Sequence, residues 1–300
     1  MTRWIRRGLI AAAALAVVAA GTVLAGTQLA ERRMNRLIDV QPRPVALRSD
    51  AAAIERGRYL YGSRGCADCH GADGAGRSFV QAEGLHLAGP NISPGAGSAV
   101  AAYQPLDWVR ALRHGVKPDG RPLRVMPSED YARLTDDDLA AIVAYVRSLP
   151  PRPGAVAGGA AVIELPLPAQ VMYGFGQIPD AADKIDHRLS PAQPVPEGVT
   201  VEHGRYVAQM CIGCHGAQLA GGRIPGAPPD WPAAPRLTPG EGNGMAAYAD
   251  AAALQRLFAS GKRADGSTVR VMPFEALSQL SDTDGRALHA YLQSLQGGAD

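Results

Sequence analysis

Aromatic residues are scarce: Phe, Trp and Tyr together make up 5% of the 300 residues, with only four Phe and three Trp. A domain of about 100 residues with so few large side chains has little apolar volume for a self-sufficient core. The 46% hydrophobic fraction does not remedy this, because much of it is alanine. Something other than side chains must help fill the interior. Charge of one sign is also missing. The formal net charge is +2, and no basic stripe interleaves with aromatics, which sets nucleic acid aside as a partner. Strand-like alternation is scarce as well, so helical domains are expected.

Cysteine occurs four times, and only in two Cys-x-x-Cys pairs, Cys66/Cys69 and Cys211/Cys214. None is left for ordinary core packing, so the thiols have a dedicated chemistry. Each pair is followed at once by a histidine, His70 or His215, in CADCH and CIGCH. The likeness extends well beyond these pentapeptides. RGRYLYGSRGCADCHG (56–71) parallels HGRYVAQMCIGCHG (203–216), the first copy being two residues longer before its cysteine. AGPNISPG (88–95) parallels AAPRLTPG (233–240), and HGVKPDGRPLRVMP (114–127) parallels SGKRADGSTVRVMP (260–273). LTDDDLAAIVAYVRSLP (134–150) parallels LSDTDGRALHAYLQSLQ (280–296). His70 precedes Pro90 by 20 residues, as His215 precedes Pro235, and the histidine-to-methionine separations to Met126 and Met272 are 56 and 57. One domain has been built twice, with a period too long for a stacked solenoid.

In the first copy Leu139, Ile142, Val143, Val146 and Leu149 share one helical face. Thr135 is placed as N-cap, with Leu134 and Leu139 as a hydrophobic staple. The second copy keeps a cap at Ser281 and a face at Leu288, Leu292 and Leu295, with Gly285 in place of the staple leucine. Both domains, 50–150 and 199–297, are expected to be all-α. Residues 151–198 are dense in Pro and Gly, lack a sustained period, and are expected to be a linker, either free or ordered against a domain; 31–49 is a shorter spacer. Ahead of them, Gly8 to Ala30 is a run of 23 uncharged residues flanked by arginines. As a helix it would reach about 34 Å, enough to cross a bilayer core of about 30 Å. It exceeds the ~7–15-residue core of a cleaved signal, so residues 1–30 are expected to be an N-terminal transmembrane anchor or uncleaved signal. Cleavage after Val23-Leu24-Ala25 is the competing reading.

On a helix, residues i, i+3 and i+4 share a face. Two thiols and an imidazole at that spacing can hold one flat object, the thiols as thioethers to its vinyl groups and the imidazole on its metal. This is the haem attachment pattern. A zinc site drawn from both pairs is awkward, since the pairs head separate domains, and a redox dithiol normally sits in a βαβ setting that the sequence lacks. In these features the chain resembles class I c-type cytochromes, in the two-domain, dihaem form of bacterial electron-transfer chains. The resemblance covers about residues 50–150 and 199–297. It rests on CADCH and CIGCH, the GP or AP turn that follows, and a Met-Pro before the last helix. It implies small helical bundles around two covalently bound haem c groups, which would supply the missing core volume.

Cys66, Cys69, Cys211 and Cys214 are then the haem anchors, and His70 and His215 axial ligands. Met126 and Met272 recur in the same RVMP frame and are expected as the second axial ligands, a pairing with His that raises the reduction potential. Met210, beside Cys211, and Met172 and Met245, which have no counterparts, are not expected to ligate. The resemblance implies that the carbonyls of Pro90 and Pro235 accept the proximal histidine N–H, with ordinary turn prolines as the alternative. Arg124 and Arg270 are expected to pair with haem propionates, with exposed loop arginines as the alternative. His86, His114, His187, His203 and His289 receive no ligand role.

Two centres with both axial positions filled by protein suit one-electron relay rather than catalysis. The leading expectation is a dihaem cytochrome c, not an enzyme. It would be tethered by a single pass in the inner membrane with both domains in the periplasm, and would pass electrons from a donor protein to a respiratory or photosynthetic acceptor. Two alternatives compete. One is the cytochrome subunit of a periplasmic dehydrogenase complex, its linker wrapping a catalytic partner. The other is a dihaem enzyme, such as a peroxidase or thiosulfate-oxidising cytochrome, which needs an iron with an exchangeable ligand. Membrane lipid is a further partner through the N-terminal helix.

Overall fold

The computed structural model describes residues 3–95, 97–228 and 230–295; the expected anchor start at residue 1 and second-domain end at 297 lie outside them. The uncharged N-terminal run forms a single helix, α1 (Arg3–Met34), exposed through residue 25, buried at Gly26 and Ala30 and half-buried at Thr27, Arg33 and Met34. Among the described residues it is the one helix long and apolar enough to cross a membrane.

The first domain opens with α2 (Ala51–Ser63), whose N-cap Asp50 accepts from the Ala53 amide at 3.0 Å. The short helix α3 (Cys66–His70) carries the first pentapeptide, and α4 (Pro105–His114), α5 (Ser128–Tyr131) and α6 (Asp136–Ser148) complete the bundle. Leu60, Val109, Leu139, Val143 and Val146 are fully buried at its centre. After the linker, which holds α7 (Leu167–Gly174) and α8 (Ala181–Lys184), the second domain repeats this order. Its helices are α9 (Val201–Val207), α10 (Ile212–His215), α11 (Ala251–Ser260), α12 (Phe274–Leu277) and α13 (Asp282–Ser294), with Val207, Leu254 and Leu288 in its core. The expected caps are in place: Thr135 accepts from the Asp138 amide at 3.1 Å and Ser281 from the Asp284 amide at 3.0 Å. In each copy the first helix crosses the last at a glycine. A Cβ on Gly57 would overlap the carbonyl oxygen of Ala141, and one on Gly204 that of Ala287.

The all-α expectation fails in the first domain. Residues between the pentapeptide and Pro90 form an antiparallel hairpin, β1 (Arg77–Ala82) and β2 (Leu85–Gly89), with a register shift between Ser78 and Val80. A third strand, β3 (Val162–Glu164), pairs antiparallel with β2. The second copy has the same number of residues here, but Pro225, Pro228 and Pro232 interrupt it. Proline cannot donate to a strand ladder, and among the described residues of this segment only an isolated bridge, Gly222 to Ala234, forms.

The linker is ordered rather than a free spacer. Ala155 donates to the Ala75 carbonyl at 2.8 Å and Ala192 to that of Arg133 at 3.1 Å, while Asn91 donates to Gly159 at 2.9 Å. Helix α7 packs on α1 and α8 packs on α5. Proline and glycine had masked this order, because it comes from long-range pairing rather than a local period.

The two domains meet directly. Helix α3 touches α12 of the other domain, and α10 touches α5. The contacts at the helix starts are reciprocal. Arg56 pairs with Asp138 at 2.8 Å within the first domain, and Tyr206 of the second donates to the same carboxylate at 2.6 Å. His203 pairs with Asp284 at 2.7 Å within the second, and Tyr59 of the first donates to that carboxylate.

Candidate functional site

The first pentapeptide is the short helix α3, and the second runs from Cys211, the last residue of a 3-10 turn, into α10, so residues at i, i+3 and i+4 are placed toward one side in each. The His70 ring nitrogen Nδ1 lies 2.9 Å from the Pro90 carbonyl oxygen, and that of His215 lies 2.8 Å from the Pro235 carbonyl oxygen. A carbonyl can only accept, so Nδ1 carries the proton in both rings and Nε2 keeps its lone pair. Burial lowers the pKa of both imidazoles, opposed by the carbonyl bond, and holds them in the neutral form that ligates metal. In both copies the proline carbonyl stands where it can hold the ring through its N–H.

The four cysteines are free thiols. Burial pushes Cys66, Cys69 and Cys211 up to about 12, with the neighbouring thiol or a nearby aspartate adding to the shift, and raises Cys214 as well.

Met126 and Met272 occupy equivalent turns. Ser128 donates to the Met126 carbonyl and Phe274 to the Met272 carbonyl, both at 2.9 Å, across Pro127 (φ −79°, ψ 63°) and Pro273 (φ −80°, ψ 66°). These are inverse γ-turns with proline at the centre, and they start α5 and α12. Met126 is half-buried against the first core together with Cys66, Ile92, Val100 and Tyr103. Met272 is half-buried against the second with Cys211, Leu237, Val269 and Phe274. A flat apolar group held at the cysteines would cover such half-buried side chains. With a bare Nε2, free thiols and a thioether in each domain, the residues fit a covalently attached haem.

The other residues singled out from the sequence do not gather at one site. Arg124 donates to the Met34 sulfur at 3.0 Å, where the spacer leaves α1, and Arg270 pairs with Asp230 at 3.1 Å on the surface. Met245 is buried in the second core, whereas Met172 is exposed. The unassigned histidines have structural partners: His86 with Ser78, His114 with His187, His203 with Asp284 and His289 with the Tyr248 carbonyl.

Several residues that join the two sites were not foreseen. Asp130, which follows Met126 by four residues, accepts from the Gly213 amide inside the second pentapeptide at 2.7 Å. Arg64, in the two-residue insertion of the first copy, is buried and pairs with Asp284 at 2.7 Å. The repeated GRY in RGRY and HGRY was the available signal for the tyrosines, but it marks a duplication without saying that the two copies touch.

Residues 52–146 match the family described as cytochrome C oxidase, cbb3-type, subunit III, and residues 201–296 match the cytochrome c family. The chain is similar to the fructose dehydrogenase cytochrome subunit of Gluconobacter japonicus, with 28% identity over 284 residues covering 86% of this chain and 55% of that protein. It is similar to the alcohol dehydrogenase (quinone) cytochrome c subunit of Gluconobacter oxydans (strain 621H), with 29% identity over 279 residues, 82% of this chain and 55% of that protein. The gluconate 2-dehydrogenase cytochrome c subunit of Pantoea cypripedii is 36% identical over 102 residues, 31% of this chain and 22% of that protein. The chain spans about half the length of the first two relatives.

Proposed function

The chain is a class I c-type cytochrome carrying two covalently bound haem c groups, and we propose that it serves as the electron-transfer subunit of a membrane-bound dehydrogenase complex. The observation that carries this reading is the alignment of two dehydrogenase cytochrome subunits across more than four-fifths of the chain, both domains and the linker included. It favours the subunit over the free-standing relay that led the expectations from sequence.

In this reading Cys66 and Cys69, and Cys211 and Cys214, are the thioether anchors. His70 with Met126, and His215 with Met272, would hold the two irons. Bound in this way, haem supplies a one-electron couple. Pro90 and Pro235 orient the imidazoles, and the paired Met side chains favour the ferrous state. Two protein ligands to each iron would leave substrate no open site, and the chain would then carry electrons rather than transform a substrate. The contacts of α3 with α12 and α10 with α5 set each attachment turn against the helix that follows the other domain's methionine. That arrangement supports a relay between the domains. Helix α1 would anchor the complex in the inner membrane, with both domains in the periplasm.

Mild detergent extraction of the full-length holoprotein from its native membrane, followed by mass measurement of the intact assembly, tests the proposal. Isolation with a dehydrogenase catalytic subunit is the expected result. A cytochrome that emerges alone, while known membrane complexes in the same extract stay whole, would sink it.

A further inference from the structure

The linker contains an apolar segment that electron transfer does not use. Leu165 to Pro179 is fifteen consecutive uncharged residues between Glu164 and Asp180, in a chain that is 19% charged overall. Its helix α7 lies directly on α1. A Cβ on Gly26 would stand 2.7 Å from Val171 Cγ1, and one on Gly174 would meet the Gly26 carbonyl and lie 2.8 Å from the Ala30 amide nitrogen. Small residues that let two backbones touch are the usual crossing of helices in lipid. Gly26 belongs to the uncharged run that spans the membrane.

On either side of this crossing the chemistry changes sharply. Leu167, Met172 and Phe175 are exposed at 49%, 41% and 47%. Beyond the crossing, Arg36 pairs with Asp180 at 2.6 Å and Asp183 at 2.9 Å, and Arg33 lies over the Tyr173 ring at 5.4 Å. Tyr173 donates to the same Asp180 at 3.0 Å. Gly26 precedes Arg33 by seven residues, about 10 Å along a helix. Helices that lie in a membrane interface sit about 5–10 Å into the headgroup and acyl boundary.

We propose that α7 is a second membrane contact: it lies in the interface beside α1, with Leu167, Met172 and Phe175 against the acyl-chain boundary. The bilayer surface is the occupant of this face, because the face is continuous with the span and its uncharged stretch ends at the ion-paired residues that close the span. The inference rests on the reading of α1 as a retained anchor. Its consequence is orientation. The loop that carries Met126 is tied to the same end of α1, through Ile38 donating to the Gly120 carbonyl at 2.9 Å and through Arg124 and Met34. Two membrane contacts then hold the first haem domain at a set angle, where a single helix would let it swing.

Haem attachment consumes all four native cysteines, so a single introduced cysteine can take a nitroxide label cleanly. Met172→Cys, Phe175→Cys, Leu15→Cys within the span and Arg188→Cys in the exposed linker would each be made in the full-length holoprotein. With both haems reduced, each would be placed in vesicles of phosphatidylcholine and phosphatidylglycerol. Relaxation by oxygen, which partitions into lipid, is compared with relaxation by a water-soluble nickel chelate. The expected result is an oxygen effect several-fold above the nickel effect at positions 172 and 175, as at 15, and the reverse at 188. Labels at 172 and 175 that behave like 188 overturn the proposal. So do labels shielded from both reagents, as a partner protein or a second copy would shield them. A label at 15 that itself reads as aqueous overturns the anchor reading, and this inference with it; lipid at 15 with water at 175 overturns this inference alone.

Discussion

Tyr59 in the first domain donates its hydroxyl to Asp284 in the second at 2.7 Å. Its counterpart Tyr206 donates to Asp138 at 2.6 Å, so each domain's tyrosine serves the other's carboxylate. The same two hydroxyls also accept from the capping residues, Tyr206 from the Thr135 amide at 3.3 Å and Tyr59 from the Ser281 amide at 3.1 Å. The start of each final helix is therefore completed by the neighbouring domain. Burial alone would raise Asp284, but Arg64, Tyr59 and His203 together hold it below the usual carboxylate range.

Removing either hydroxyl loosens the joint. Tyr59→Phe and Tyr206→Phe each delete a hydrogen bond to a charged group, which costs about 1.5–3 kcal/mol. Asp284→Ala should cost more, about 3–5 kcal/mol, because it strands the buried Arg64 guanidinium. Asp138→Ala should be milder, since its partner Arg56 remains 29% exposed against 5% for Arg64. Denaturant unfolding of the four holoprotein variants gives the order; equal midpoints for the two aspartate variants would contradict the asymmetry.

The axial assignment predicts ligand binding. Reduced wild-type protein should bind no carbon monoxide, Met126→Ala and Met272→Ala one equivalent each, and the double variant two. The reduction potential of the altered centre should fall in each single variant, because the thioether no longer favours ferrous iron. Carbon monoxide binding by the wild type would instead support an exchangeable ligand and a catalytic haem.

Helix crossing sets a steric test. Gly57→Ala and Gly204→Ala each force a methyl into the carbonyl of the crossing helix. Overpacking of this kind costs about 1–3 kcal/mol, and more where backbone must move. Ala substitution at Gly8, which has nothing within 4 Å, should leave unfolding unchanged. Thermal melts of the three variants side by side check the contrast.

Acid should weaken the linker's hold on the first domain. His114, at the end of α4, faces His187 of the linker with their Nδ1 atoms 3.0 Å apart. Burial, then His187 and the nearby Arg113 and Arg110, lowers the His114 pKa from 6.5 to about 4. The unfolded chain takes up this proton at the higher pH, so the contribution is fully present above 6.5 and fades as pH falls toward 4. The denaturation midpoint should drop across that window in the wild type and drop less in His114→Gln. An identical pH slope in both proteins would refute the assignment.

Where local rules suffice, the sequence was readable. Thr135 and Ser281 announce their helices through cap chemistry, whereas the imidazole–carbonyl contacts of Pro90 and Pro235 were implied by the family resemblance, the equal 20-residue spacing marking only the duplication. The hairpin was missed because β1 and β2 are short, and β3, which completes the sheet, comes more than seventy residues after the β2 strand. Whether the linker was ordered against a domain stayed open for the same reason: Ala155, Ala192 and Val171 find their partners far away in the chain, where no period points. Arg64 and Asp130 were invisible as joint residues because nothing in either copy alone says which surface faces the other. Arg124 and Arg270 were read by their position near the methionines, and the protein groups that their guanidinium ends meet, Met34 and Asp230, lie too far along the chain for that position to point to.

The reciprocal tyrosine–carboxylate contacts have the form of an isologous interface, in which one patch meets a second version of itself. Two separate copies of such a domain would associate only as fast and as far as their concentration allowed. Tied into one chain, they meet at an effective concentration set by the connecting segment. Because each patch is occupied by its own sister, that surface is closed to further copies. The pairing of the two haem domains thus becomes independent of expression level.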